Sequence, residues 1–121
     1  MNDDKALLKR LGDFLGRVDA VIGVDRAFLF GSTAKGNRLV ESDVDLIVVS
    51  KSFAGVPVPE RLGLLQKEWD YPEELQALAY TPEEFNEISK RLTMKEILAY
   101  AVDLTGLIAT FEPFRPRSRA D

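Results

Sequence analysis

Apolar residues in the first part of the chain fall at Leu7, Leu8, Leu11, Phe14, Leu15 and Val18, a spacing that lines one face of a helix. Asn2, Asp3 or Asp4 is placed to cap its start, and the helix is expected to stop by Asp19, with Gly23 in the connection. Ala27 to Phe30 is a short apolar, aromatic-rich run ended by Gly31, which reads as a buried strand. Val44 to Val49 is the clearest strand, β-branched and apolar on both faces beyond Asp45. Pro59 is positioned to open a helix over Glu60 to Trp69, with Leu62, Leu65 and Trp69 on its inner face. Leu75 to Tyr80 reads as a third strand. Thr81-Pro82-Glu83-Glu84 then has the form of a helix start, leading through Phe85, Ile88 and Leu92. Thr93 to Glu96 repeats the capping pattern and opens a further helix to about Val102. Leu104 to Thr110 is expected to form a last edge strand. Strands alternating with helices after a leading helix predict a single α/β (α+β) domain with a small mixed sheet and flanking helices.

Composition narrows the chemistry. The chain has 121 residues, 45% apolar and 30% charged, an ordinary balance for one soluble domain with a core of its own. It contains no cysteine and no histidine. Disulfides, thiolate nucleophiles, imidazole bases and imidazole-ligated metals are therefore excluded, and any metal must be a hard one held by oxygen. Ser32 has no histidine to act as its base, which argues against a serine hydrolase. The net charge of −4 argues against a general nucleic-acid-binding surface. Arg115, Arg117 and Arg119, among Pro113 and Pro116, form a basic tail over 111–121, read as a solvated end in preference to a nucleic-acid hook. The N-terminus has the form of neither a signal nor a transit peptide, and no apolar stretch reaches membrane-spanning length, so a cytoplasmic location is expected.

The most informative segment runs from Gly31 to Val49. A Gly-Ser turn follows a buried strand, and Asp43 and Asp45 stand at the start of the next one. Alternation along a strand points both carboxylates the same way, near enough to share one cation. The plain alternative is a solvated strand entrance whose acids discourage aggregation. The preceding turn favours the cation: a glycine-led turn offers backbone N–H groups to an anion, Ser32 adds a hydroxyl and Lys35 a positive charge. A nucleoside triphosphate with bound Mg²⁺ satisfies both halves of such a site. The turn is not a P-loop, because the Gly-x-x-x-x-Gly-Lys-Ser/Thr pattern is missing.

Phe30-Gly31-Ser32-Thr33-Ala34-Lys35-Gly36, then Glu41-Ser42-Asp43-Val44-Asp45-Leu46-Ile47-Val48, resembles the core motif of the minimal nucleotidyltransferases of the DNA polymerase β superfamily. Gly31-Ser32, ten residues, and Asp43-Val44-Asp45 agree with it in strand, turn, spacer and second strand. The likeness extends over about Leu7 to Met94 and includes Ala79 to Phe85. It implies a nucleotidyltransferase-like domain over residues 1–110 and Mg²⁺-dependent nucleotidyl transfer. Asp43 and Asp45 would be catalytic and ligate the metal, and Gly31, Ser32 and Lys35 would hold a triphosphate, ATP being the expected one. An acceptor hydroxyl would attack the α-phosphorus and pyrophosphate would leave. Small members of the family commonly act beside a separately encoded helical partner, as antitoxin to its toxin, so the acceptor hydroxyl is expected on such a partner.

The sequence departs from the family pattern in three places. Lys35 stands where arginine is common, keeping the charge without the bidentate fork. Thr33 replaces a residue that is often basic. The family's third carboxylate, on the later strand, corresponds to Gln76, a weak metal ligand. Glu74 lies on the same face about 6–7 Å back along the strand, as an exposed edge acid or a partial substitute. The alternative function is therefore a degenerate nucleotide- or partner-binding module without catalysis. Glu83 and Glu84 read as helix-start acids, Glu73 and Glu74 as a turn pair, and Trp69, Tyr71 and Phe85 as core aromatics.

Overall fold

The computed structural model describes residues 2–31 and 43–110. In chain order the elements are α1 (Asn2–Ile22), β1 (Arg26–Phe30), β2 (Val44–Val49), a 3₁₀ turn (Lys51–Phe53), α2 (Val58–Glu68), β3 (Leu75–Tyr80), α3 (Pro82–Ile88), α4 (Leu92–Tyr100), β4 (Val102–Asp103) and α5 (Thr105–Thr110). The four strands form one mixed sheet in the order β3-β2-β1-β4. β1 runs antiparallel to β2 and to β4, and β3 runs parallel to β2, reached through the crossover helix α2.

Strand alternation divides the core in two. Val44, Leu46 and Val48 of β2 join Ala27, Leu29 and Ala79 on one face, covered by Leu7, Leu11, Phe14, Leu15 and Val18 of α1 with Leu65 of α2 and Ile108 of α5. The α1 stripe predicted from spacing is thus the principal cover of that face. Ile47 and Val49 join Phe28 on the opposite face, under Phe85 of α3 and Met94 of α4. Because both faces are covered, β2 is apolar throughout except at Asp45, its second residue.

Several boundaries differ from the expectations, each for a local reason. Helix α1 continues past Asp19 to Ile22, and Asp19 serves its end: its carbonyl accepts from Gly23 N at 2.8 Å and its carboxylate from Val24 N at 2.7 Å. Helix α3 stops at Ile88, so Leu92 opens α4 and is 72% exposed. No capping box forms at Thr93, which lies inside α4 behind an uncapped Arg91. The expected strand over Leu104 to Thr110 is the helix α5, and the edge strand is the two-residue β4 just before it. Asp103 Oδ1 accepts from Thr105 N at 2.9 Å, and Leu104 and Ile108, four apart, turn together into the core. At Thr81 the capping box is complete, the hydroxyl accepting from Glu84 N and the Glu84 carboxylate from Thr81 N. The basic tail of 111–121 lies outside the described residues.

Strand β3 is a sheet edge. Two of its outward carbonyls are covered by α2: Leu75 O accepts from Gln66 Nε2 and Ala79 O from Arg61 Nη1, both at 3.0 Å.

Candidate functional site

Asp45 is held between two strand neighbours. On one side β1 pairs Phe30 with Asp45, which delivers Gly31 next to the carboxylate. On the other side β3 pairs Gln76 with Asp45. Phe30, Asp45 and Gln76 therefore form one row across the sheet, with side chains on the same face. Asp43 precedes β2 by one residue and is half-buried like Asp45, near enough for its charge to act on the Asp45 carboxyl.

Gly31 is required by this geometry twice over. Its φ is +79°, a conformation that L side chains rarely adopt. A Cβ built there would collide with Asp45 Oδ2 and stand 2.8 Å from Asp45 Cγ, so the carboxylate occupies the space a side chain would fill. Burial against this wall, reinforced by the charge of Asp43, pushes the Asp45 carboxyl up from its ordinary range. The end of β2 thus concentrates negative charge where it is incompletely solvated. Ser32 and Lys35, the other two residues expected to hold a triphosphate, lie outside the described residues, as does Thr33.

The neighbouring acids are arranged differently from one another. The β2–β3 register begins at Val44 and Leu75, where Val44 N donates to Glu74 O at 2.9 Å, and Glu74, just before β3, has an exposed side chain. Glu73 turns the other way and accepts from Nη1 and Nη2 of Arg10 at 2.9 and 2.8 Å, while its carbonyl accepts from Trp69 Nε1 at 2.7 Å. Glu73 is a structural anchor of α1 to the β3 approach. Among the described residues no group of three or more acids is placed to share a metal ion.

The aromatic residues are core, as read. Trp69 packs edge-on against Phe14 and Tyr71, with centroids 5.0 Å apart in each pair, and Phe85 stacks on Phe28 at 5.6 Å. The sequence reading missed Arg61, which is 5% exposed and ties α2 to the far end of β3. Its guanidinium donates to Val56 O, Ala79 O and both Glu84 oxygens. The signal was available: Arg61 lies four residues before the buried Leu65, on the inner face of α2. This ion pair and the Thr81 N–H hold the Glu84 carboxyl down at about 2.

Among the described residues no helix is long and apolar enough to cross a membrane. No curated protein matches the chain. The fold is similar to that of a candidate nucleotidyltransferase from Sulfolobus solfataricus, with a TM-score of 0.56 and 21% identity over 66% of this chain and 71% of that one. The sequence profile of the nucleotidyltransferase domain matches residues 8–121. A match over nearly the whole length, on a mixed sheet with paired acids at the head of a central strand, places this chain in the nucleotidyltransferase domain family of the DNA polymerase β superfamily.

Proposed function

We propose that the chain binds a nucleoside triphosphate together with a divalent cation at Asp43 and Asp45 and transfers its nucleoside monophosphate to an acceptor hydroxyl. The observation that carries this reading is the packing of the Asp45 carboxylate into the space left by Gly31, with the charge of Asp43 acting on it. The donors fit a hard cation: they are carboxylate oxygens, set close together at a strand end where their charge lacks full solvation. Mg²⁺ bound there would neutralise charge on the phosphate oxygens. Gly31, Ser32 and Lys35 are proposed to hold the triphosphate. In the reaction the acceptor oxygen bonds to the α-phosphorus, the bridging bond to the β-phosphate breaks, pyrophosphate leaves and the hydroxyl proton passes to solvent. A separately encoded helical protein is proposed to carry the acceptor, in an antitoxin-like pairing, with ATP as the donor.

Gln76 favours a second reading, a module that binds nucleotide without transferring it. The neutral amide stands beside Asp45 in the register, where an acid would help to activate an acceptor. One experiment separates the two. The chain is incubated with α-labelled triphosphates, Mg²⁺ and candidate partner proteins. Label that appears on a partner with the native chain, and not with Asp43→Asn, supports transfer. Triphosphate that binds with Mg²⁺ while no acceptor is ever labelled supports the binding module.

A further inference from the structure

We infer that the site takes a single divalent cation for each bound triphosphate, and that Gln76 sets this number. The inference rests on the cation-and-triphosphate reading above and goes beyond it to the make-up of the complex. Two cations that grip one reacting phosphate stand about 3.5–4 Å apart and repel each other, so such a pair needs anionic oxygens on both sides. Asp43 and Asp45 supply two carboxylates from one strand. Of the two strands that flank Asp45, β1 sets Phe30 and β3 sets Gln76 beside it, so neither adds a carboxylate there. The Gln76 amide oxygen carries no net charge and cannot balance a second dication.

The nearby described acids do not make up the deficit. Glu73 is committed to Arg10 by two hydrogen bonds, and its side chain is only 10% exposed. Glu84 is at the opposite end of β3, bound to Arg61 and the Thr81 N–H. Glu74 precedes the first paired residue of β3, with its side chain in solvent, and the described acids form no group of three around a common point. Among the described residues, two protein charges and the phosphates are therefore matched to one cation.

The test counts ions. The full chain is mixed with Mn²⁺ and an α,β-methylene nucleoside triphosphate, whose scissile position cannot be cleaved, and the bound metal is read by electron paramagnetic resonance and equilibrium dialysis. The native chain is expected to hold one Mn²⁺ per bound nucleotide, with the spectrum of an isolated ion. Gln76→Asp, at an exposed position, is expected to hold two, with a spin-coupled spectrum. A coupled pair in the native chain overturns the inference and leaves the proposed function standing, and loss of the second ion in Glu74→Gln would then trace it to Glu74. A Gln76→Asp chain that still holds one ion overturns the assignment to Gln76. Absence of protein-bound Mn²⁺ in both chains overturns the binding reading itself.

Discussion

The Asp45 carboxylate rests where the side chain of residue 31 would be, so Gly31 and Asp45 share one volume between β1 and β2. Gly31→Ala must therefore strain the backbone at φ +79° and displace the acid as well. The expected result is a loss of about 2–3 kcal/mol of stability, from a disfavoured conformation combined with overpacking. Triphosphate binding in the presence of Mg²⁺ should fall below detection. Thermal denaturation and calorimetric titration measure the two effects, and a variant with native stability and native binding would contradict the shared-volume account.

Asp45 itself should destabilise the cation-free fold. Its folded carboxyl titrates above the ordinary range because of burial and the adjacent Asp43, so the folded state holds the proton more tightly than the unfolded chain. Stability from this group is present at low pH and is lost as pH rises from the ordinary aspartate range through the raised value. Asp45→Asn should accordingly raise the Tm of the metal-free protein at pH 7, with a smaller difference at pH 3. Mg²⁺ with triphosphate should stabilise the native chain and not the variant. Melting curves at the two pH values, with and without these ligands, give the comparison.

Glu84 has the opposite sign. Its carboxyl is held at about 2, below the ordinary 4.5, so its contribution is complete above 4.5 and disappears as pH falls towards 2. Because its side chain is 45% exposed, solvent screening reduces that contribution to about 1–2 kcal/mol. Glu84→Gln should flatten the acid limb of a stability–pH profile by this amount. Glu84→Ala should cost more, about 3–4 kcal/mol, because it also opens the capping box and leaves Arg61 buried without its anion. Urea denaturation across pH 2 to 7 would measure both.

Glu73 provides a control for acids at this end of the molecule. Glu73→Gln should lower stability by about 1–2 kcal/mol through the weakened Arg10 pair. Calorimetric titration should show triphosphate and Mg²⁺ binding unchanged, since the side chain points to α1 and not to Asp43. A matching loss of binding would place Glu73 in the site.

The parts of the fold set by strong periodicity were legible in the sequence. The α1 face, the β2 run and the capping box at Thr81 all depend on short-range patterns that the chain displays directly. The segment from Leu104 to Thr110 was not, because a seven-residue, largely apolar stretch suits either strand or helix. The packing of Leu104 and Ile108 under α1 decides that choice. Arg61 escaped for a related reason: its partners, Ala79 and Glu84, are distant in sequence and meet it only through the crossover. In the site, the closeness of Asp43 to Asp45 followed from their spacing alone. The register that puts Gln76 next to Asp45 could be placed only by likeness to a family, because strand pairing between β2 and β3 leaves no mark in either segment.

The β2–β3 pairing has an evolutionary consequence. Glutamine and glutamate codons differ by one nucleotide, and the side chain of residue 76 is exposed at a sheet edge, outside both core clusters. A point mutation could therefore exchange amide for acid beside Asp45 with little disturbance to the hydrophobic packing. At this position the hydrophobic core imposes no preference between amide and acid, and the choice is felt only by the charges at the head of β2.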